Sequence, residues 1–130
     1  MADITVKKND GATNIVWTAL SPSSGDGVHA VWRSETVGTA AGHKPMLETW
    51  SRFNGNRTAR RFDMSGIYPQ IATDSTTGLV SVINKAPFNA SFLLPLGMPA
   101  TDTNEFVAQM SNLIVSTLIQ SCIKSGYAAS

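Results

Sequence analysis

The segment from Lys44 to Ile71, KPMLETWSRFNGNRTARRFDMSGIYPQI, constrains the chain more than any other. It reads as two strands joined by a tight turn at Asn54-Gly55. Asn-Gly is the strongest short hairpin signal, because both residues tolerate the positive φ angles of a type I′ turn. Around that turn stand Arg52, Arg57, Arg60 and Arg61, four of the chain's five arginines. Between Lys44 and Arg61 lie five of the ten Lys and Arg residues and a single acid, Glu48. Positive charge gathered onto one hairpin of a chain with formal net charge +1 predicts a flat, sheet-based surface for a polyanion.

Alternation assigns the two faces without the exact register, since successive strand residues point to opposite sides. A two-residue or a four-residue loop places even positions of the first strand beside odd positions of the second. One face then carries Met46, Glu48, Trp50 and Arg52 with Arg57, Ala59, Arg61 and Asp63. The other carries Leu47, Thr49, Ser51 and Phe53 with Thr58, Arg60, Phe62 and Met64. Leu47, Phe62 and Met64 make the second face the expected core side, with Arg60 an awkward member. On the first face, guanidinium forks suit phosphate and an indole offers an unpaired base a stacking surface. The bland alternative is a solvated face with cross-strand ion pairs such as Glu48 with Arg61.

With 130 residues the chain is expected to form one domain, residues 1–130. Charged residues make up 15%, against about a quarter in a typical solvated monomer, which points to surface covered by subunit contacts. The opening MADITVKKND has no apolar core, so no secretory signal is expected. No apolar run approaches the ~20 residues of a membrane span, and no membrane partner is expected. The single Cys122 cannot form an internal disulfide and is expected to be a small buried residue.

Strands fill the chain to about residue 94, and a helical tail covers about 102–124. Ile4 to Lys8 and Asn14 to Leu20 form a first hairpin around Asn9-Asp10-Gly11. After the loop SPSSGDG, a third strand runs from Val28 to Glu35, and the basic hairpin follows. The loop DSTTG, Asp74 to Gly78, precedes strands at Leu79 to Asn84 and Pro87 to Leu94. On the last of these, Phe88, Ala90, Phe92 and Leu94 share one face, and Pro87, Asn89 and Ser91 the other, with Lys85 just ahead. Asp102 and Glu105, or Thr101, mark a helix start, and Lys124 with Gly126 marks its end. The stripe through Phe106, Val107, Met110, Leu113, Ile114, Val115, Leu118, Ile119, Cys122 and Ile123 is too broad for a helix lying on one sheet. A partner subunit is the simplest second surface.

A hairpin, a run of strands and a C-terminal helix in a chain of this size resemble the coat proteins of small single-stranded RNA bacteriophages (levivirus-like). The likeness extends to Asp26-Gly27-Val28 leading to Trp32-Arg33-Ser34 and to Asn56-Arg57 opening a strand that ends Tyr68-Pro69-Gln70-Ile71. It also includes PLGMPATDTNEFVAQM, Pro95 to Met110. The resemblance implies an α+β fold: an N-terminal β-hairpin at the edge of an antiparallel meander sheet, and a C-terminal helix packing across an interlocked homodimer. It implies that dimers build an icosahedral shell around the genome, assembled in the bacterial host cytoplasm and carried in the virion. The inward sheet face would bind single-stranded RNA, and in many members it also binds a stem-loop operator that represses replicase translation. By position, that face here is Glu48, Trp50, Arg52, Arg57 and Arg61 with Lys85 and Asn89, and the dimer contact is Phe106, Met110, Leu113, Ile114 and Leu118. Some members crosslink shells through cysteines in the loop before the last strands. Asp74 to Gly78 contains none, so no crosslink is expected.

An enzyme is not expected. His29 and His43 are the only histidines and do not sit at metal-ligand spacing, so no metal or cofactor is assigned. The serines lack a G-x-S-x-G context, and the glycines match no phosphate-binding fingerprint. His29 reads as an ordinary polar strand residue, and Trp17 and Trp32 as packing residues. The alternative to a shell protein is a dimeric RNA-binding module that does not assemble further.

Overall fold

The computed structural model describes residues 1–36 and 38–130. They form two compact units, residues 1–93 and 94–130. In the first, six strands among the described residues make one antiparallel meander: β1 (Ile4–Lys7), β2 (Asn14–Ser21), β3 (Ala30–Ser34), β4 (Met46–Phe53), β5 (Ala59–Thr73) and β6 (Val80–Pro95). They lie in chain order across the sheet, and the second unit carries α1 (Ala100–Ile114) and α2 (Thr117–Ser125). This is the expected α+β layout, with the N-terminal hairpin at one edge.

Turn chemistry explains the strand boundaries. In the first hairpin Asp10 Oδ1 accepts the backbone N–H groups of Ala12 and Thr13 at 2.9 and 2.8 Å. Its Oδ2 accepts the Thr13 hydroxyl at 2.5 Å, and Gly11 takes φ 71°. The Thr13 hydroxyl, then the two backbone donors, hold the Asp10 carboxyl down at about 2. Asp74 plays the same part before β6, accepting from Thr76 and Thr77.

The β4–β5 turn departs from the type I′ expectation. The register pairs Phe53 with Arg60, and the Asn54 N–H donates to the Ala59 carbonyl at 3.0 Å. Gly55 does not have a positive φ; Arg57 does, at 54°. The turn is organised by the Asn54 side chain, which accepts from the Thr58 and Ala59 N–H groups at 2.8 and 3.2 Å and donates to the Thr58 hydroxyl at 2.9 Å. An Asx side chain that binds backbone donors four and five residues on favours this wider loop over the two-residue one.

Three further expectations are corrected. The two final strands are one: β6 passes unbroken through Lys85, Ala86 and Pro87. Proline is tolerated there because β6 is the last strand of the sheet, where one side of the backbone needs no ladder partner. The single long helix is two, bent by 53°. At Ser116 ψ is 145°, and its hydroxyl donates to the Leu113 carbonyl at 2.6 Å. A hydroxyl competing for a helix carbonyl beside β-branched Val115 and Thr117 is a local alternative to helical continuation. The helix also begins two residues early, after Pro99, so Asp102 and Glu105 lie inside it and form no capping box. At the other end Gly126 closes α2 with φ 76°, as expected.

Among the described residues few side chains are fully buried, and none is in α1 or α2. Cys122 is partly exposed on α2 rather than buried. In the hairpin, Ala59 and Asp63 are each 4% exposed, whereas Phe62 is 38% exposed. The most buried hairpin positions are therefore on the face opposite the expected core side. Arg60 ceases to be awkward. Its guanidinium binds both Asp26 oxygens at 3.0 and 2.7 Å and Ser51 Oγ at 3.0 Å, and it lies 4.4 Å from the centre of the Phe53 ring.

Candidate nucleic-acid interface

The β4–β5 register joins Met46 to Ile67, Glu48 to Ser65, Trp50 to Asp63 and Arg52 to Arg61. Even β4 positions thus share a face with odd β5 positions, as alternation predicts. On β6, Ser91 points the same way, since its hydroxyl bonds Asp63, and Asn89 shares its side by alternation; both border a recess of ≈ 260 Å³ beside Trp50, Arg61 and Asp63. Glu48, Trp50, Arg52, Arg61 and Asn89 are therefore gathered on one surface. Lys85 is exposed on β6 but sits about 20 Å from Ser91 at the usual strand rise, away from this recess.

Arg57 is not gathered. It lies in the turn, where its left-handed backbone interrupts the alternation, and its guanidinium sits 5.9 Å from the Phe53 ring centre. Phe53 belongs to the opposite face.

The electrostatics differ from the sequence count. Three of the hairpin's basic residues already have acidic partners: Lys44 with Glu35, Arg60 with Asp26, and Arg61 with Asp63 at 2.8 Å. The Glu48–Arg61 pair that exemplified the bland alternative does not form, because each finds another group. Glu48 meets His29 instead, with Oε2 2.7 Å from Nδ1. Burial by itself would push the Asp63 carboxyl up. The Ser91 hydroxyl, Arg61 and Arg52 outweigh that and hold it below the ordinary carboxylate range. Asp63 is thus a buried anion that orients Arg61.

Arg52 makes no ion pair among the described residues, and it faces Arg61 directly across the ladder. Like charges opposed in this way are unfavourable by themselves and favourable around an anion. The two guanidinium groups border a wider recess of ≈ 580 Å³ with Asn54, Ser91 and Leu93.

His29 is the residue that sequence reasoning missed. Its ring stacks on Trp50 at 4.3 Å with an interplanar angle of 7°. Only the β3–β4 register reveals it: extending the Ala30–Thr49 pairing by one residue brings His29 opposite Trp50. Trp50 itself is partly buried rather than freely exposed.

Among the described residues no group of His, Cys, Asp and Glu could hold a metal ion, and no single helix is long and apolar enough to cross a membrane.

No family model and no curated protein matches the chain. Solved structures do. The chain is similar to the virus-like particle of Beihai levi-like virus 21, with TM-score 0.82 and 13% identity over 100% of this chain and 98% of that one. It is similar to the virus-like particle of bacteriophage NT-214, with TM-score 0.79 and 13% identity over 99% and 96%. The bacteriophage GA protein capsid aligns with TM-score 0.75 and 17% identity over 97% and 95%. The chain has the fold of the levi-like bacteriophage coat proteins.

Proposed function

We propose that this protein is the coat subunit of a small single-stranded RNA bacteriophage. In this reading it dimerises, assembles into a closed shell and binds RNA on the Trp50–Arg52–Arg61 face. The observation that carries it is the end-to-end match to capsid and virus-like particle subunits, in which neither chain has a sizeable segment left over.

Two features of the chain support self-association. Leu113, Ile114, Leu118 and Ile123 are 42–66% exposed on the two helices, a patch that would be unfavourable in water unless covered. β6 is a sixteen-residue edge strand, and a long edge is a template for pairing with another chain. Sheets joined edge to edge through β6 and helices crossing the partner would cover both. Phe106 and Met110, the more buried of the expected contact residues, belong to the same proposal. RNA binding rests on the unpaired Arg52, the oriented Arg61 and the stacking surface of Trp50.

The test is expression of the full chain in bacteria, followed by size-exclusion chromatography and negative-stain imaging. Closed particles whose absorbance shows nucleic acid are the expected result. Discrete dimers that bind RNA but never close would support the module reading, and a monomer without bound nucleic acid would refute both.

A further inference from the structure

We propose that His29 is a positioning residue for RNA binding: held by Glu48, it clamps one face of the Trp50 indole and leaves the other to a single unpaired base. This rests on the RNA-face reading above. The ring of His29 covers Trp50 from the β3 side, 4.3 Å away and nearly parallel. The recess on Trp50 is lined otherwise by β5 and β6, including Arg61, Asp63, Asn89 and Ser91, and not by His29. The open indole face is therefore the one turned away from the imidazole. A recess of ≈ 260 Å³ there has room for one nucleobase.

His29 is anchored at both ends. Glu48 on β4 takes its Nδ1 at 2.7 Å, and the preceding loop is tied down by the Gly27 N–H donating to the Ser51 carbonyl at 2.9 Å and by Asp26 gripping Arg60. Such a clamp removes rotamer freedom from Trp50 before RNA arrives, so less ordering is lost on binding.

The experiment uses purified full-length protein titrated with a fluorescein-labelled, unstructured single-stranded RNA. His29→Ala should weaken binding about fivefold, the size of ordering one side chain on binding. His29→Phe should restore affinity, because it keeps the stacked ring. Trp50→Ala should bind weakly, and adding His29→Ala to it should change nothing more. A further loss on adding His29→Ala to Trp50→Ala overturns the clamp, since His29 would then act on RNA directly; so does His29→Ala with wild-type affinity. Arg52→Ser with Arg61→Ser separates the two ideas. If that variant loses RNA while the His29 variants behave as wild type, only the clamp falls. If it too binds normally, the RNA face itself is wrong.

Discussion

In the β4–β5 hairpin several polar side chains find partners within their own unit: Asn54 organises its turn, Asp63 holds Arg61, Asp26 holds Arg60 and Glu48 holds His29. In the helices many apolar side chains stay open to water. Among the described residues none in α1 or α2 is buried, and Leu118 is 62% exposed. Hydrogen-bonding groups near in sequence or register can satisfy one another locally. An apolar helix face cannot, because its free energy comes from area removed from water by another surface. The hairpin is thus organised by its own polar contacts, and the helices are left with apolar surface open to water.

The largest test of that contrast is Leu118→Asp. The proposed helix contact would bury an unpaired charge at a cost of several kcal/mol. Particles should vanish in negative stain, while circular dichroism of the soluble chain stays strand-rich. Normal particle yield would remove α2 from the contact. Next comes the hairpin face: Arg52→Ser with Arg61→Ser should leave particles intact and lower their nucleic-acid absorbance. The salt dependence of RNA binding should become shallower by about one unit per lost phosphate contact. Arg57→Ser, whose guanidinium lies toward the other face, should change both measurements least, and an equal loss would return Arg57 to the site.

Smaller effects probe how far the hairpin organises itself. Asn54→Ala removes the acceptor for two backbone donors and should destabilise the protein by about 1–2 kcal/mol in denaturant melts. Gly55→Ala should stay within about 0.5 kcal/mol of wild type. Its φ is not positive, and an added Cβ meets nothing within 4 Å. A loss well above that from Gly55→Ala would reinstate a turn that needs glycine.

The smallest effect concerns the first hairpin. The Asp10 carboxyl is lowered to about 2, so its contribution is complete above the ordinary carboxylate range and is lost as pH falls toward 2. Asp10→Asn should lower the melting temperature slightly at pH 7, and the difference from wild type should close near pH 2. A difference that persists unchanged at pH 2 would show that the ionised carboxylate is not what matters.

Alternation and turn chemistry were legible along the chain. Period two put Trp50, Arg52 and Arg61 on one face, Asp10-Gly11 marked the first turn and Gly126 the last helix end, because each depends on residues within a few positions of one another. Charge was less legible. The sequence shows five basic residues against one acid around the hairpin, yet Asp26, Glu35 and Asp63 reach three of them from outside that window. Burial misled in the same way: Phe62 looked like core and is 38% exposed, while Asp63 looked like surface and is 4% exposed.

By itself, then, the sequence determined the element types, the two faces of the hairpin and the broad apolar stripe of the helical tail. Tertiary structure decided the rest. The wide Asn54 loop, the unbroken β6, the bend at Ser116 and the His29–Trp50 stack each turn on a competition among groups that only the folded chain brings together. A side-chain oxygen, an edge position or a neighbouring ring then outbids the local preference, and the winner is set by distance in space rather than along the chain.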